Sequence, residues 1–148
     1  MLSRVEALKE EHGRLRTLLA RCDSPPVPEL LPLMHQLRES LRPHLDAKQA
    51  LYAEAMQVIQ DAGTPTELSL LGIFRTNLSV VSGAVMGFLA APDSQPERLR
   101  ERLRTVVAVL RSLLDTEEKV VFPLCTRYAG TSSTGPAPRR LRHEEGRP

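Results

Sequence analysis

Four polar side chains interrupt hydrophobic stripes that are otherwise aliphatic: His12, His44, Lys48 and Glu117. Stripes of this kind pack into the core of a helical protein, where polar residues are uncommon and therefore informative. Histidine and glutamate are groups that bind metal ions or exchange protons, whereas a lysine and a glutamate can form a buried ion pair. His44 and Lys48 are four residues apart, and so are Leu113 and Glu117, which places each pair on one helical face.

The elements that position these residues are four amphipathic stretches, recognised by apolar residues at spacings of three and four. They run from Ser3 to Cys22, from about Pro28 to Asp61, from Thr64 to Ala91, and from Ser94 to Leu124. The third stripe is predicted to comprise Leu71, Phe74, Leu78, Val81, Val85 and Phe88. The fourth is predicted to comprise Leu99, Leu103, Val106, Leu110, Leu113, Glu117, Val120 and Leu124.

Residues that start, stop or bend helices stand at the ends of these stretches and once inside one. Ser3 with Glu6, and Ser94 with Glu97, are predicted capping boxes. Gly63 is a predicted C-terminal cap of the second helix, and Pro43 is expected to kink that helix. Four such helices with short loops predict an all-α fold, an up-down-up-down antiparallel four-helix bundle over residues 1–129. Residues 130–148, rich in turn formers and almost free of apolar side chains, are predicted to be a flexible C-terminal tail.

Composition narrows the function classes. The 148 residues are 41% hydrophobic and 3% aromatic, with two cysteines, which favours aliphatic helical packing in a reducing cytoplasm. The net charge of +2 lies entirely in residues 130–148, so the body lacks the field expected of a nucleic-acid binder. We also expect no signal peptide and no membrane span, because no apolar run approaches the required length of about 18 residues.

Three segments resemble those of hemerythrin-like, or HHE cation-binding, domains. Glu11-His12 is similar to the first-helix histidine segment of that family, and His44-Leu-Asp-Ala-Lys48 resembles its second-helix His-x-x-x-Glu segment. Leu113-Leu-Asp-Thr-Glu117-Glu118, followed by Phe122-Pro123, resembles its fourth-helix His-x-x-x-Glu-Glu segment. The resemblance spans about residues 1–128 and implies a metal centre inside a helical bundle.

The chain departs from the family's ligand pattern at two positions. Lys48 stands where the second-helix glutamate is expected, and Leu113 stands where the fourth-helix histidine is expected. No histidine occurs between His44 and His143. The resemblance therefore leaves His12, His44 and Glu117 as candidate ligands for one metal ion, with iron as the first candidate. A di-iron centre is not expected, because too few ligands remain.

The alternative is a site without metal. In that interpretation Lys48 pairs with Glu117 in place of an ion, and the two histidines make ordinary hydrogen bonds at the edge of the core. Glu117 and Glu118 are expected on different helix faces, so they are not predicted to act as an acid–base pair. Other polar or reactive residues are assigned structural roles: His35 and the arginines at 98, 100, 102 and 104 on solvated faces, and Cys22 and Cys125 as small buried residues.

The function that follows is a hemerythrin-like protein with a degenerate metal centre, acting as a non-enzymatic sensor, regulatory or interaction module. Such a protein would bind either no cofactor or one metal ion, with a protein as its possible partner, and neither nucleic acid nor a membrane. The first alternative is a functional iron or cation binder in oxygen, nitric oxide or metal handling. The second is a helical regulator resembling the anti-sigma bundles, with which only the architecture is shared.

Overall fold

A computed structural model describes residues 1–130, and residues 131–148 lie outside the described part of the chain. The helices are α1 (Leu2–Arg21), α2 (Val27–Ala62), α3 (Pro65–Ala90) and α4 (Pro96–Thr116). A π-helical turn, Glu117–Val121, continues α4 into a short last helix, α5 (Phe122–Arg127). The predicted all-α bundle of four long helices is confirmed. The predicted tail at 130–148 falls, except for Gly130, outside the described residues.

The helix ends show which local signals determine the boundaries. The Thr64 hydroxyl caps α3 by accepting a hydrogen bond from the backbone nitrogen of Glu67 at 3.1 Å. The capping box predicted at Ser3 is wrong: α1 begins at Leu2, and the Met1 ammonium pairs with Glu54 of α2 at 3.2 Å. The helix thus begins one residue before the predicted cap.

The start of α4 also differs from the prediction. Its N-cap is Gln95 and makes no side-chain cap, so the predicted box of Ser94 with Glu97 does not form. The Asp93 side chain accepts a hydrogen bond from the Gln95 backbone nitrogen at 3.1 Å, which turns the chain one residue later than expected. Gly63 is the C-cap of α2, as predicted, and α2 continues unbroken through Pro43.

The core is aliphatic and lies mainly between α2 and its neighbours, since α2 packs against both α1 and α3. α1 also contacts α4 and α5. The buried stripe of α3 is narrower than predicted: Leu71, Leu78, Val85 and Leu89 are buried, whereas the other predicted members are only partly covered, namely Phe74, Val81 and Phe88. α3 approaches α4 less closely than it approaches α2, so the side of α3 toward α4 is left open.

α3 is unusually apolar for a helix with so much exposed surface. By length and composition it is the one helix among residues 1–130 that is apolar enough to cross a membrane, and 17% of its most apolar window is buried. The expectation that no segment has this length and composition is therefore wrong. The sequence analysis missed α3 because Arg75 interrupts its apolar run, although one charged residue does not disqualify a span.

Candidate metal centre

Three elements bring the four predicted polar residues into the middle of the bundle. His12 lies in the central part of α1, His44 and Lys48 lie one turn apart on α2, and Glu117 begins the π-helical turn. All four side chains are almost completely buried, with exposed fractions of 0% to 2%. The structure therefore brings together the residues that the helical spacing predicted to converge.

The centre of the cluster is a contact between Lys48 and Glu117. The Lys48 Nζ atom lies 2.5 Å from Glu117 Oε1, and the same oxygen lies 3.7 Å from His12 Nε2. The Tyr52 hydroxyl donates a long hydrogen bond, 3.4 Å, to the other oxygen of Glu117. The rings of His12 and His44 are 5.1 Å apart, so His44 lies beside the histidine that approaches Glu117.

Each histidine is held from outside by a carboxylate. His12 Nδ1 lies 3.0 Å from Glu118 Oε1, and His44 Nδ1 lies 2.5 Å from Glu11 Oε2. A carboxylate only accepts hydrogen bonds, so Nδ1 of each ring carries the proton and donates. In the neutral ring Nε2 is then a lone-pair acceptor that points inward. Neither Nε2 atom has a hydrogen-bond partner within residues 1–130.

Arg16 anchors the outer carboxylate of His12. Its guanidinium donates to both oxygens of Glu118, at 2.7 and 2.8 Å, and to Asp115 at 2.8 Å. These bonds lower the pKa of Glu118, so this carboxylate is ionised and can orient His12. Sequence reasoning missed Arg16, although its spacing of four from His12 places it on the same side of α1.

Burial determines the protonation of both imidazoles. Desolvation, reinforced by the positive charge of Lys48, lowers the pKa of His12 to about 4. The same two causes lower the pKa of His44 to about 3. Both rings are therefore neutral at physiological pH, which agrees with Nδ1 donors and unprotonated Nε2 atoms.

Burial also opposes charge on the central pair. Desolvation lowers the pKa of Lys48 and raises the pKa of Glu117, while the mutual attraction of the two groups acts in the opposite direction on each. Burial beside Glu117 raises the pKa of Tyr52 as well, so this hydroxyl remains a donor. Each member of the pair is thus compatible with the interior only because the other is present.

The residues present do not fit the metal centre that the family resemblance implies. Two unpartnered imidazole nitrogens and one carboxylate oxygen do face the middle, as metal ligands would. The ammonium of Lys48, however, contacts that oxygen, and Leu113 places an apolar side chain where the family has a histidine. Among residues 1–130, no group of three or more His, Cys, Asp or Glu side chains is arranged to hold a metal ion.

Glu117 is 0% and Glu118 31% exposed, which agrees with the different helix faces expected of them. Both carboxylates approach His12, Glu117 at Nε2 and Glu118 at Nδ1. The π-helical turn that begins at Glu117 explains this, because its wider turn changes the side-chain directions after α4. The same change places Val121 in the core and leaves Val120, a predicted stripe residue, 36% exposed. Earlier in α4, before this turn begins, Val107 is buried, whereas the predicted core residue Val106 is only partly buried.

The remaining predicted residues lie outside the cluster. His35 is exposed, and Cys22 and Cys125 are free and buried, as predicted. The arginines at 98, 100, 102 and 104 are exposed, but two of them make contacts. Arg100 donates to the Pro25 carbonyl oxygen at 2.8 Å, and the Arg102 guanidinium lies 5.8 Å from the centre of the Phe88 ring.

Comparison with protein-family models identifies one family over most of the chain. The family described as the hemerythrin HHE cation binding domain matches residues 3–125. This range contains α1 to α4 and all four residues of the buried cluster. The comparisons with curated proteins and with solved structures found no significant match. The matched range exceeds half of the sequence and agrees with the helical bundle, so the chain belongs to the hemerythrin HHE cation-binding domain family.

Proposed function

We propose that this protein is a non-enzymatic hemerythrin-like module whose metal centre has been replaced by the buried Lys48–Glu117 pair. The single observation that carries the proposal is the 2.5 Å contact between Lys48 Nζ and Glu117 Oε1, with both side chains inaccessible to solvent. A bundle built in this way folds and keeps its shape without a cation. Its role is then to sense, regulate or interact with another molecule.

The charge balance of the site supports this assignment. In a cation-binding domain, inward-facing carboxylates are neutralised by the bound ion. Here one carboxylate faces inward, and Lys48 provides one positive charge beside it. A divalent ion at the same position would meet the ammonium of Lys48, and the two neutral imidazoles would not offset that repulsion.

The surroundings of the pair support a role without turnover. The cavity beside Lys48 has a volume of about 10 Å³ and is otherwise lined by leucines, three of which are Leu15, Leu41 and Leu114. Such a cavity is just large enough for one water molecule and has no space for a substrate. A neutral body with acidic and basic residues interspersed also supports an assignment as a cytoplasmic protein that does not bind nucleic acid.

The outer hydrogen bonds of the two histidines support the idea that the centre was lost from a metal-binding arrangement. Histidines that bind metals commonly donate their second nitrogen to a carboxylate. His12 does so to Glu118, and His44 does so to Glu11. The histidines therefore keep the orientation of ligands although Lys48 occupies the middle.

The alternative is a functional iron or other cation binder, and one observation favours it. The Nε2 atoms of His12 and His44 are buried without hydrogen-bond partners in the described part of the chain. Buried acceptors of this kind are expensive unless a donor or a cation satisfies them. Loss of the Lys48 proton, which burial promotes by lowering its pKa, would allow a cation to be that partner.

Metal stoichiometry of the parent protein and two lysine variants distinguishes these functions. Lys48→Glu restores the His-x-x-x-Glu spacing, removes the ammonium and adds a second inward carboxylate. We expect the parent to bind less than a tenth of an equivalent of Fe²⁺ or Zn²⁺, and the variant to bind about one equivalent. Without metal the variant should melt below the parent, and either ion should raise its melting temperature.

The matched control is Lys119→Glu, which makes the same charge change at an exposed residue of the π-helical turn. It should leave metal content and melting temperature unchanged. A parent protein that binds one equivalent of iron tightly, together with a Lys48→Glu variant that gains nothing, would overturn the proposal in favour of the cation binder.

A further inference from the structure

A cleft between α1 and α2 lies on the outer side of the buried cluster. Its volume is about 430 Å³, within the range of sites for small ligands. Its inner end is formed by Glu11 and His44, the two residues that hydrogen bond to each other at the edge of the cluster. The cleft therefore reaches a histidine of the buried cluster from the solvent side.

The cleft has an apolar base and polar ends. Leu15 and Leu18 of α1, both buried, form the base together with Pro43 of α2. Arg14 and Arg21 are seven residues apart on α1, so they lie on the same face at a separation of about 10 Å along the helix. The cleft is thus lined by two arginines from one face of α1 together with apolar side chains.

These two guanidiniums lack acidic partners, in contrast to their neighbour Arg16. Within residues 1–130, Arg14 forms no ion pair, and Arg21 donates only to the neutral Gln36 side chain, at 3.3 Å. Arg16, between them in sequence, binds two carboxylates. The hydroxyl of Ser40, on the α2 side of the cleft, also has no hydrogen-bond partner in this part of the chain.

The formal charge of the cleft indicates the charge of its ligand. Arg14 and Arg21 contribute two positive charges, Glu11 contributes one negative charge, and His44 is neutral. One negative charge on the ligand would balance the site. A carboxylate fits a guanidinium through two parallel hydrogen bonds, and a short hydrocarbon body fits the leucine base.

We propose that the α1–α2 cleft binds a small organic acid with one carboxylate, which lies against Arg14 or Arg21 while its short hydrocarbon body packs beside Pro43 and the exposed edges of Leu15 and Leu18. The inference rests on the proposed regulatory function, because it names the class of molecule that the module senses. Glu11 provides the connection to the interior: a ligand in the cleft would alter the Glu11–His44 hydrogen bond, and the His44 ring lies 5.1 Å from the ring of His12.

The test is a titration of the ¹⁵N-labelled full-length protein with hexanoate, followed by backbone amide and histidine side-chain resonances. We expect saturable shifts confined to residues 11–21 of α1 and 36–44 of α2, together with a shift of the His44 ring nitrogens. Hexanol, which has the same hydrocarbon body without the charge, should bind at least about tenfold more weakly.

Three arginine variants provide the controls. Arg14→Gln and Arg21→Gln should each weaken hexanoate binding several-fold, and both together should abolish it. Neither change disturbs an ion pair, so the variants should fold. Arg98→Gln, at an exposed arginine of α4 without an ion-pair partner among residues 1–130, should bind like the parent.

Three results would overturn the inference: no saturable shifts at the cleft, equal binding by the arginine variants, or equal binding of inorganic phosphate. The last result would show an unselective oxyanion site. Failure here is distinguishable from failure of the proposed function. A metal-free protein that does not bind hexanoate would contradict only the proposed ligand of the cleft. An iron-containing protein that binds hexanoate would contradict only the proposed replacement of the metal by Lys48.

Discussion

Lys48 and Glu117 belong to the residue types that are almost never fully buried without a partner, and in this bundle both are inaccessible to water. Desolvation disfavours the charged form of each, and their short contact offsets part of that cost. The pair therefore differs from a surface ion pair, which contributes little to stability. Removing one member leaves the other buried and uncompensated.

Lys48→Met tests this dependence. The substitution keeps the length and apolar stem of the side chain but removes the ammonium, so it should lower the free energy of unfolding by about 3–5 kcal/mol. The measurement is equilibrium denaturation in urea, with unchanged slope as evidence of an intact fold.

Two further variants decide whether the loss comes from the uncompensated carboxylate. Lys48→Met combined with Glu117→Gln removes both charges and should recover most of the stability lost in the single variant. Arg111→Met breaks the exposed pair with Asp23, whose contact is 2.8 Å, and should cost at most about 1 kcal/mol. A double variant as unstable as the single one would contradict the pairing argument.

The two histidines make stability depend on pH in a defined direction. Their pKa values are lowered from 6.5 to about 4 for His12 and about 3 for His44 in the folded protein. Between those values and 6.5 the unfolded chain binds more protons than the folded one, so acid favours unfolding. The free energy of unfolding is therefore not reduced by the histidines above pH 6.5, and it decreases progressively as the pH falls below that value.

We therefore expect the melting temperature to fall between pH 6.5 and 4. Each histidine would contribute a slope of up to about 1.4 kcal/mol per pH unit. His44→Gln keeps a donor for Glu11 and removes one titrating ring, so its melting temperature should depend less steeply on pH than that of the parent. Calorimetry at half-unit pH steps checks this, and parallel curves for parent and variant would refute the assignment.

At the scale of elements, the π-helical turn is the feature that makes the site. Pro123, in the first turn of α5, has no backbone N–H to donate, so the regular helical hydrogen bond at this position is missing. The chain widens over Glu117–Val121 and resumes as α5 at Phe122. This local change directs Glu117 and Glu118 toward opposite nitrogens of His12.

Two neighbouring valines report on that turn. Val121 is fully buried, whereas Val120 is 36% exposed, although the regular helical spacing predicts Val120 as the core residue. Val121→Ala should lower the free energy of unfolding by about 2 kcal/mol, and Val120→Ala should change it by less than about 0.5 kcal/mol. A larger loss for Val120→Ala than for Val121→Ala in urea denaturation would mean that α4 continues as a regular helix, and equal losses would contradict the burial of Val121 alone.

Helical spacing alone could predict the four-helix bundle and the level at which His12, His44, Lys48 and Glu117 meet, because both follow from a 3.6-residue period. It could not predict the role of Glu118, which depends on a turn of different period. The starts of α1 and α4 were also inaccessible to local rules. Each is determined by an interaction outside the capping box, Met1 with Glu54 in one case and Asp93 with the Gln95 backbone in the other.

At the scale of the whole molecule, the long helices enclose one aliphatic core, but α3 covers it incompletely. Leu71 and Leu78 face inward, whereas Ile73 and Val80 are 66% and 67% exposed on the opposite side. An exposed apolar helix of this length raises the question of membrane insertion. Short connections join α3 to helices that carry many charged side chains. Two residues, Gly63 and Thr64, separate α3 from α2, and five residues separate it from α4.

If α3 crossed a bilayer, α2 and α4 would have to stand on opposite sides of it. The buried residues of α3 would then leave the core that they share with α2, namely Leu71, Leu78, Val85 and Leu89.

We therefore predict that the protein remains in the aqueous phase. When it is mixed with vesicles of neutral lipid, or of lipid containing a third anionic headgroups, it should not float with them in a density gradient at physiological salt. Ile73→Lys combined with Val80→Lys should leave its sedimentation and melting temperature unchanged, because both side chains already contact solvent. Flotation of the parent that these two lysines abolish would show that the outer face of α3 is a membrane-binding surface.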